Sequence, residues 1–140
     1  MIRLTRRYRF SSSHRLDAAG LTEAANRALY GKCNNPHGHG HDYVLEVSLR
    51  GPLDPDTGRA ADWKALDALV RAEVLRAFDH KNLNAEVPAF AAMVPTTENL
   101  ALEIRRRLTG KWAAAFPGVW PRLDRIRIEE TKRNSFELSQ

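Results

Sequence analysis

The chain has 140 residues, with 22 Lys and Arg against 17 Asp and Glu, and a single cysteine. This length suits one domain spanning residues 1–140, and the lone cysteine excludes an internal disulfide. The short basic clusters have few aromatic neighbours, and no stretch has the apolar length of a signal core or a membrane span. We therefore expect a cytoplasmic protein without nucleic-acid or membrane partners.

Two segments alternate between inward and outward residues. Residues 2–14 alternate up to His14, interrupted by Arg6 on the inner side, and residues 39–50 alternate from His39 onward. Alternation with a period of two predicts half-buried strands. Between them we predict a short helix over residues 22–29 and a loop over 31–38, which is rich in Gly, Asn and Pro.

The second half of the chain predicts two helices followed by two strands. Residues 51–58 are typical of a turn, and the apolar spacing over 61–78 predicts a helix. After a predicted loop at 79–95, Thr96 or Thr97 supplies the N-cap of a second helix, with Glu98 in its first turn. Residues 123–131 and 135–138 predict the last two strands.

This element order predicts an α+β domain with a four-stranded antiparallel sheet and two helices packed on one face. An open sheet of four strands has two unpaired edges. Pairing between the edges of neighbouring subunits is one way to cover them.

The histidines are candidate metal ligands. His39 and His41 are two residues apart on a predicted strand, so their rings face the same side, and His14 lies on the inner side of the first strand. Three imidazoles with one open position are typical of catalytic zinc. Two histidines in this spacing are more often surface residues, and alternation alone leaves the two interpretations evenly balanced. His37 offers a competing pair with His39, but His41 continues directly into the strand.

Further candidate groups lie outside the histidine cluster. Cys33 is either an inert thiol or a base or nucleophile, in which case Lys32, zinc or a histidine should lower its pKa below about 8.5. Asp79 and His80 form a carboxylate–imidazole pair suited to proton transfer, or simply end a helix. Glu130 would point inward, where a carboxylate requires a partner: a ligand, an arginine or water.

Six segments, in this order, resemble the 6-pyruvoyl-tetrahydropterin synthase family. They are FSSSHRL (10–16), GKCNNP (31–36), GHGHDY (38–43), DHKNLN (79–84), PTTENL (95–100) and ET (130–131). The resemblance extends over nearly the whole chain. It implies the tunnelling fold, in which trimers close a shared barrel and two trimers stack into a hexamer with active sites between subunits.

The resemblance also implies an activity. Members of the family act on 7,8-dihydroneopterin triphosphate, eliminate triphosphate and form 6-pyruvoyl-tetrahydropterin, with Zn²⁺ in the site and Mg²⁺ on the triphosphate. The metal ligands implied are His14, His39 and His41. The catalytic residues implied are Cys33 as base and Asp79 with His80 as proton relay. The pterin-binding residues implied are Glu130, Thr96, Thr97 and Glu98.

A sister enzyme shares the fold, the metal and the substrate. This enzyme, 6-carboxy-tetrahydropterin synthase of queuosine biosynthesis, releases acetaldehyde instead. Its cysteine usually stands three residues before the histidine pair, whereas five residues intervene in the animal-type synthase. Five residues separate Cys33 from His39, which favours the synthase, but three separate it from His37.

Overall fold

A computed structural model describes residues 1–139. Its strands are β1 (Ile2–His14), β2 (His39–Gly51), β3 (Lys81–Asn82), β4 (Arg122–Glu129) and β5 (Ser135–Ser139). They form one sheet in the order β3-β1-β2-β4-β5. The pairs β1–β2, β2–β4 and β4–β5 are antiparallel, whereas β3 runs parallel to β1.

The helices are α1 (Glu23–Tyr30), α2 (Trp63–Val70), α3 (Arg76–Phe78), α4 (Leu83–Glu86) and α5 (Thr97–Ala115). A π-helical turn (Arg71–Leu75) joins α2 to α3, and 3₁₀ turns occupy Gly31–Asn34 and Pro88–Phe90. Asp62 caps α2 by accepting from the N–H groups of Lys64 and Ala65, and Thr96 caps α5 by accepting from Asn99 N.

The predicted α+β class and its four main strands are confirmed. The loop predicted at 79–95 is wrong in part, because it contains β3, α4 and a 3₁₀ turn. Elements of two to four residues are too short to show a periodic pattern. As a result, the sheet has a fifth strand, and the prediction of a purely antiparallel sheet is also wrong.

Arg6 interrupts the apolar pattern on the inner face of β1, where it forms an ion pair with Asp67 of α2. Its guanidinium binds both carboxylate oxygens of Asp67 at 3.1 and 2.7 Å and lies 4.5 Å from the ring of Trp63. The Tyr8 hydroxyl donates to the same Asp67 at 2.7 Å. This paired charge lets a cation occupy the edge of the interface between the sheet and the helices.

The apolar core lies between the sheet and α2, α3 and α5. Its largest fully buried side chains include Tyr43, Phe78, Leu45, Leu49, Leu66, Leu83, Leu100, Ile104, Leu108, Ile126 and Ile128. No helix within residues 1–139 has both the length and the apolar character needed to cross a membrane.

Candidate metal centre and active site

The pairing of β1 with β2 brings the three candidate histidines together. His14 lies directly opposite His39, and Ser12 lies opposite His41. All three rings therefore project from the helix-facing side of the sheet, at the ends of two adjacent strands. The ring centroids are 5.2 Å apart for His14 and His39, 4.9 Å for His14 and His41, and 4.5 Å for His39 and His41.

A fourth donor, the thiol of Cys33, completes the cluster. One ligand atom from each of His14, Cys33, His39 and His41 lies within 4.8 Å of the others. The Cys33 sulfur is 3.1 Å from His39 Nε2, which is 3.2 Å from His41 Nε2. Imidazole and thiolate donors at this spacing suit Zn²⁺, which binds nitrogen at about 2.0–2.1 Å and sulfur at about 2.3 Å.

His14 is prepared for metal binding by its surroundings. Its Nδ1 lies 2.9 Å from the Pro95 carbonyl oxygen, and this contact assigns the proton to Nδ1 and leaves a lone pair on Nε2. Nε2 is buried and has no hydrogen-bond partner within residues 1–139. Burial and the neighbouring histidines lower the pKa of His14 to about 4, so the ring is neutral at pH 7. An orphaned, unprotonated nitrogen facing three other donors fits a metal ion.

Cys33 reaches the cluster from the 3₁₀ turn between α1 and β2. The Leu16 N–H donates to the Cys33 carbonyl at 2.7 Å, which ties this turn to the chain after β1. Burial, and then the charge of Glu130, raise the pKa of the Cys33 thiol. Lys32 and the histidines therefore do not lower the pKa of Cys33 as expected. Within this cluster, a bound cation is the remaining group that could lower that pKa.

His37 lies outside the cluster. Its side chain is exposed, and its backbone N–H donates to Asn35 Oδ1. The next residue, Gly38, has a φ of 70°, and a Cβ there would lie 2.7 Å from the His14 carbonyl oxygen. This turn carries the chain past His14 and places His39, not His37, opposite it.

Substitution of Gly38 by alanine is expected to disturb the metal centre. Gly58 is a matched control, because it has a φ of 68° but nothing within 4 Å of an added Cβ. Gly58→Ala should cost about 1 kcal/mol in unfolding free energy from backbone strain alone. Gly38→Ala should cost roughly 1–3 kcal/mol more from overpacking, and should lower zinc content. Denaturant unfolding and metal analysis check this, and equal losses in both variants would contradict it.

Glu130 contacts the cluster from the neighbouring strand. It follows the last residue of β4 rather than lying within the strand, as the predicted range 123–131 had placed it. Its Oε1 is 3.0 Å from His41 Nε2, and its side chain is only 13% exposed. The hydrogen bond from His41 lowers the pKa of Glu130 against the effect of burial, so the carboxylate is ionised at pH 7.

The three residues predicted at the start of α5 are placed differently from one another. Thr96 uses its hydroxyl to cap the helix. Thr97 is buried beside Glu130 and Tyr43, and its hydroxyl forms no well-directed hydrogen bond in the described part of the chain. Glu98 is exposed. Pro95, just before them, accepts the hydrogen bond from His14 through its backbone carbonyl. The sequence does not predict this role, because every residue type has a backbone carbonyl.

Asp79 and His80 lie beside the outer edge of β1, apart from Cys33. The Asp79 carboxylate accepts from the Ser11 N–H at 2.9 Å, and the His80 N–H donates to the Ser11 carbonyl at 2.6 Å. His80 Nδ1 is 3.0 Å from Asp79 Oδ1, and the His80 side chain is 83% exposed. His80 has a φ of 58°, a strained conformation that concentrates at functional positions. Within residues 1–139, no hydrogen bond or ion pair joins this pair to Cys33.

Comparison with known proteins gives one consistent family. A model of the family described as 6-pyruvoyl tetrahydropterin synthase matches residues 3–140. The chain is 44% identical over 131 residues to a protein named 6-pyruvoyl tetrahydrobiopterin synthase from Poecilia reticulata, covering 94% of this chain and 85% of the relative. It is 45% identical over 101 residues to the human protein of that name, covering 72% of this chain and 70% of the relative.

The solved structure of Caenorhabditis elegans 6-pyruvoyl tetrahydropterin synthase has a TM-score of 0.87 at 36% identity, covering 99% of this chain and 95% of that chain. By contrast, a protein named 6-carboxy-5,6,7,8-tetrahydropterin synthase from Rickettsia bellii is 25% identical over 126 residues, covering 79% of this chain and 83% of the relative. The similarity is thus greater to proteins named as the pyruvoyl enzyme.

Proposed function

Because the chain belongs to the 6-pyruvoyl tetrahydropterin synthase family, we propose that it converts 7,8-dihydroneopterin triphosphate to 6-pyruvoyl-tetrahydropterin with elimination of triphosphate. The protein is then a carbon–oxygen lyase acting on phosphates, and one domain over residues 1–140 has this activity. The observation that carries the proposal is the cluster of three histidines with a thiol, beside an ionised and mostly buried carboxylate. Its free thiol suits a reducing compartment, and we place the protein in the cytoplasm.

Each group of the cluster has a separate task in this reaction. His14, His39 and His41 would hold Zn²⁺, which when bound supplies Lewis-acid polarisation of the hydroxyl groups on the substrate side chain. Cys33 removes a proton from the side chain of the substrate, and its raised pKa makes the thiolate, once formed, a stronger base. Glu130 accepts hydrogen bonds from the amino and ring N–H groups of the pterin, and orients the ring.

Asp79 and His80 would relay protons to and from the same substrate, but one chain does not bring them to Cys33. Two features support a site completed by a second subunit. Within residues 1–139, β3 pairs with β1 only at Ser12 and Ser13, so most of the outer edge of β1 is free for another strand. β5 is the opposite edge. Edge-to-edge pairing would close a barrel, in a hexamer built as a dimer of trimers.

A groove beside the cluster suits the triphosphate and its Mg²⁺. This cavity of about 480 Å³ extends from His41 and Glu130 along the sheet face opposite the helices. Arg7, Arg9 and Lys132 line it and would meet phosphate oxygens. Asp42 and Glu129 also line it and offer the oxygen ligands that Mg²⁺ prefers.

Product analysis tests the reaction. Incubation of the zinc-loaded protein with 7,8-dihydroneopterin triphosphate and Mg²⁺ should release triphosphate and give 6-pyruvoyl-tetrahydropterin, detected by mass spectrometry. The main alternative is 6-carboxy-tetrahydropterin synthase. Release of acetaldehyde with a 6-carboxy product would establish that alternative and overturn the proposal. The position of His37 outside the cluster favours the five-residue spacing from Cys33 to His39, which is the pyruvoyl pattern.

A further inference from the structure

Buried polar atoms without partners are concentrated at one place in this molecule. Among residues 1–139, five buried side-chain atoms have no hydrogen-bond partner: His14 Nε2, Tyr43 Oη, Thr97 Oγ1, Asp124 Oδ2 and Arg125 Nε. The last two belong to side chains that form ion pairs with Arg3 and Glu46. The first three all lie around the metal cluster and Glu130. Because an unpaired buried polar group costs free energy, such a concentration indicates that a ligand completes the contacts.

Tyr43 is held in this place by its strand and its neighbours. It lies two residues after His41 on β2, so both side chains face the helices, and its ring centroid is 5.7 Å from that of His41. On the other side it stacks on Phe10 with centroids 5.0 Å apart. The side chain is 1% exposed. Packing on two sides fixes the direction of the hydroxyl, which approaches Thr97 but forms no well-directed hydrogen bond within the described chain.

The Tyr43 hydroxyl lies next to the carboxylate that anchors the ligand. Continuing the pairing of Val44 with Glu129 places Tyr43 opposite Glu130. A tyrosine hydroxyl is protonated at neutral pH, so the Tyr43 hydroxyl can donate a hydrogen bond. Thr97 approaches the same point from the first turn of α5 and is 3% exposed. Two hydroxyls therefore flank one carboxylate.

We propose that Tyr43 is a further ligand-binding residue of this site. Its hydroxyl donates a hydrogen bond to an acceptor atom of the bound ring, next to the N–H groups that Glu130 holds. The inference rests on the proposed function, because a 2-amino-4-oxo pterin ring presents a carbonyl oxygen beside those N–H groups. The Glu130 carboxylate accepts from the N–H groups of the ring, and the ring carbonyl next to them requires a hydrogen-bond donor. Tyr43 supplies this donor, and the Thr97 hydroxyl is a second donor nearby.

The test compares Tyr43→Phe with Tyr8→Phe. Both substitutions remove one hydroxyl from a helix-facing tyrosine of the sheet, but the Tyr8 hydroxyl has a protein partner, Asp67, at 2.7 Å. The probe is neopterin, titrated by fluorescence into zinc-loaded protein, with zinc content and the midpoint of thermal unfolding measured alongside. Tyr43→Phe should bind neopterin about tenfold more weakly, since one hydrogen bond is lost. Its midpoint should stay the same or rise, because no well-formed hydrogen bond within the protein is lost.

Tyr8→Phe should do the opposite, with unchanged neopterin binding and an unfolding midpoint lowered by roughly 3 °C. If Tyr43→Phe binds neopterin as tightly as the unaltered protein, or lowers the midpoint as Tyr8→Phe does, Tyr43 has a structural role and the inference is overturned. Loss of zinc from Tyr43→Phe would overturn it as well. Failure of the unaltered, zinc-loaded protein to bind neopterin would instead contradict the proposed function.

Discussion

His14→Asn is expected to abolish metal binding while leaving the fold intact. Asparagine places an N–H group close to the position of His14 Nδ1, so the hydrogen bond to the Pro95 carbonyl can be kept. It has no counterpart of Nε2, the buried atom that faces His39 and His41. Loss of a residue that only hydrogen-bonds to a metal ligand lowers metal affinity or activity by about 10–100-fold. Removal of the ligand atom itself should lower both metal affinity and activity by more than that range.

Zinc content after gel filtration and turnover with added zinc are the measurements for His14→Asn. The matched control is His37→Ala, which removes an imidazole one residue from Gly38 but outside the cluster. His37→Ala should keep the zinc content and turnover of the unaltered protein. If His37→Ala loses zinc and His14→Asn retains it, the ligands are not the three histidines that the strands bring together.

The histidine cluster could be foreseen from the sequence because strand geometry is regular. Once residues 2–14 and 39–50 are predicted as strands, their alternation decides which side chains share a face. His14, His39 and His41 follow from this alternation, and the register of β1 with β2 places His14 opposite His39. The continuity of His39 and His41 with the strand already favoured them over His37, and the positive φ of Gly38 gives the structural reason why His37 lies outside the cluster.

Other parts of the site depend on contacts that the sequence does not encode locally. The Pro95 carbonyl reaches His14 across 81 positions of sequence, and any residue type supplies a carbonyl. Cys33 has a raised pKa although Lys32 is next to it, because burial outweighs a solvated charge. The separation of Asp79 and His80 from Cys33 follows from β3, a strand of two residues that no periodic pattern predicts.

Cys33→Ala is expected to separate catalysis from metal binding. The cluster has four donors, so two interpretations compete. In a closed structural site the thiolate is the fourth zinc ligand, whereas in a catalytic site three ligands hold the metal and the fourth position stays open. We favour the open site, because the proposed reaction needs both a free base and access for the substrate. The alanine variant should then retain zinc and lose turnover by about 10²–10⁴-fold, the usual contribution of a general base.

Cys33→Ser is a second variant that tests the same two interpretations. A serine keeps the size of the side chain and its link to the 3₁₀ turn, but its hydroxyl is a far weaker acid than a thiol. It should therefore resemble Cys33→Ala in turnover and the unaltered protein in zinc content and in neopterin affinity. Loss of zinc from both variants would make Cys33 a metal ligand and the site a closed one. Full turnover with full zinc in Cys33→Ala would exclude Cys33 as the base, and would leave the exposed His80 of another subunit as the remaining candidate.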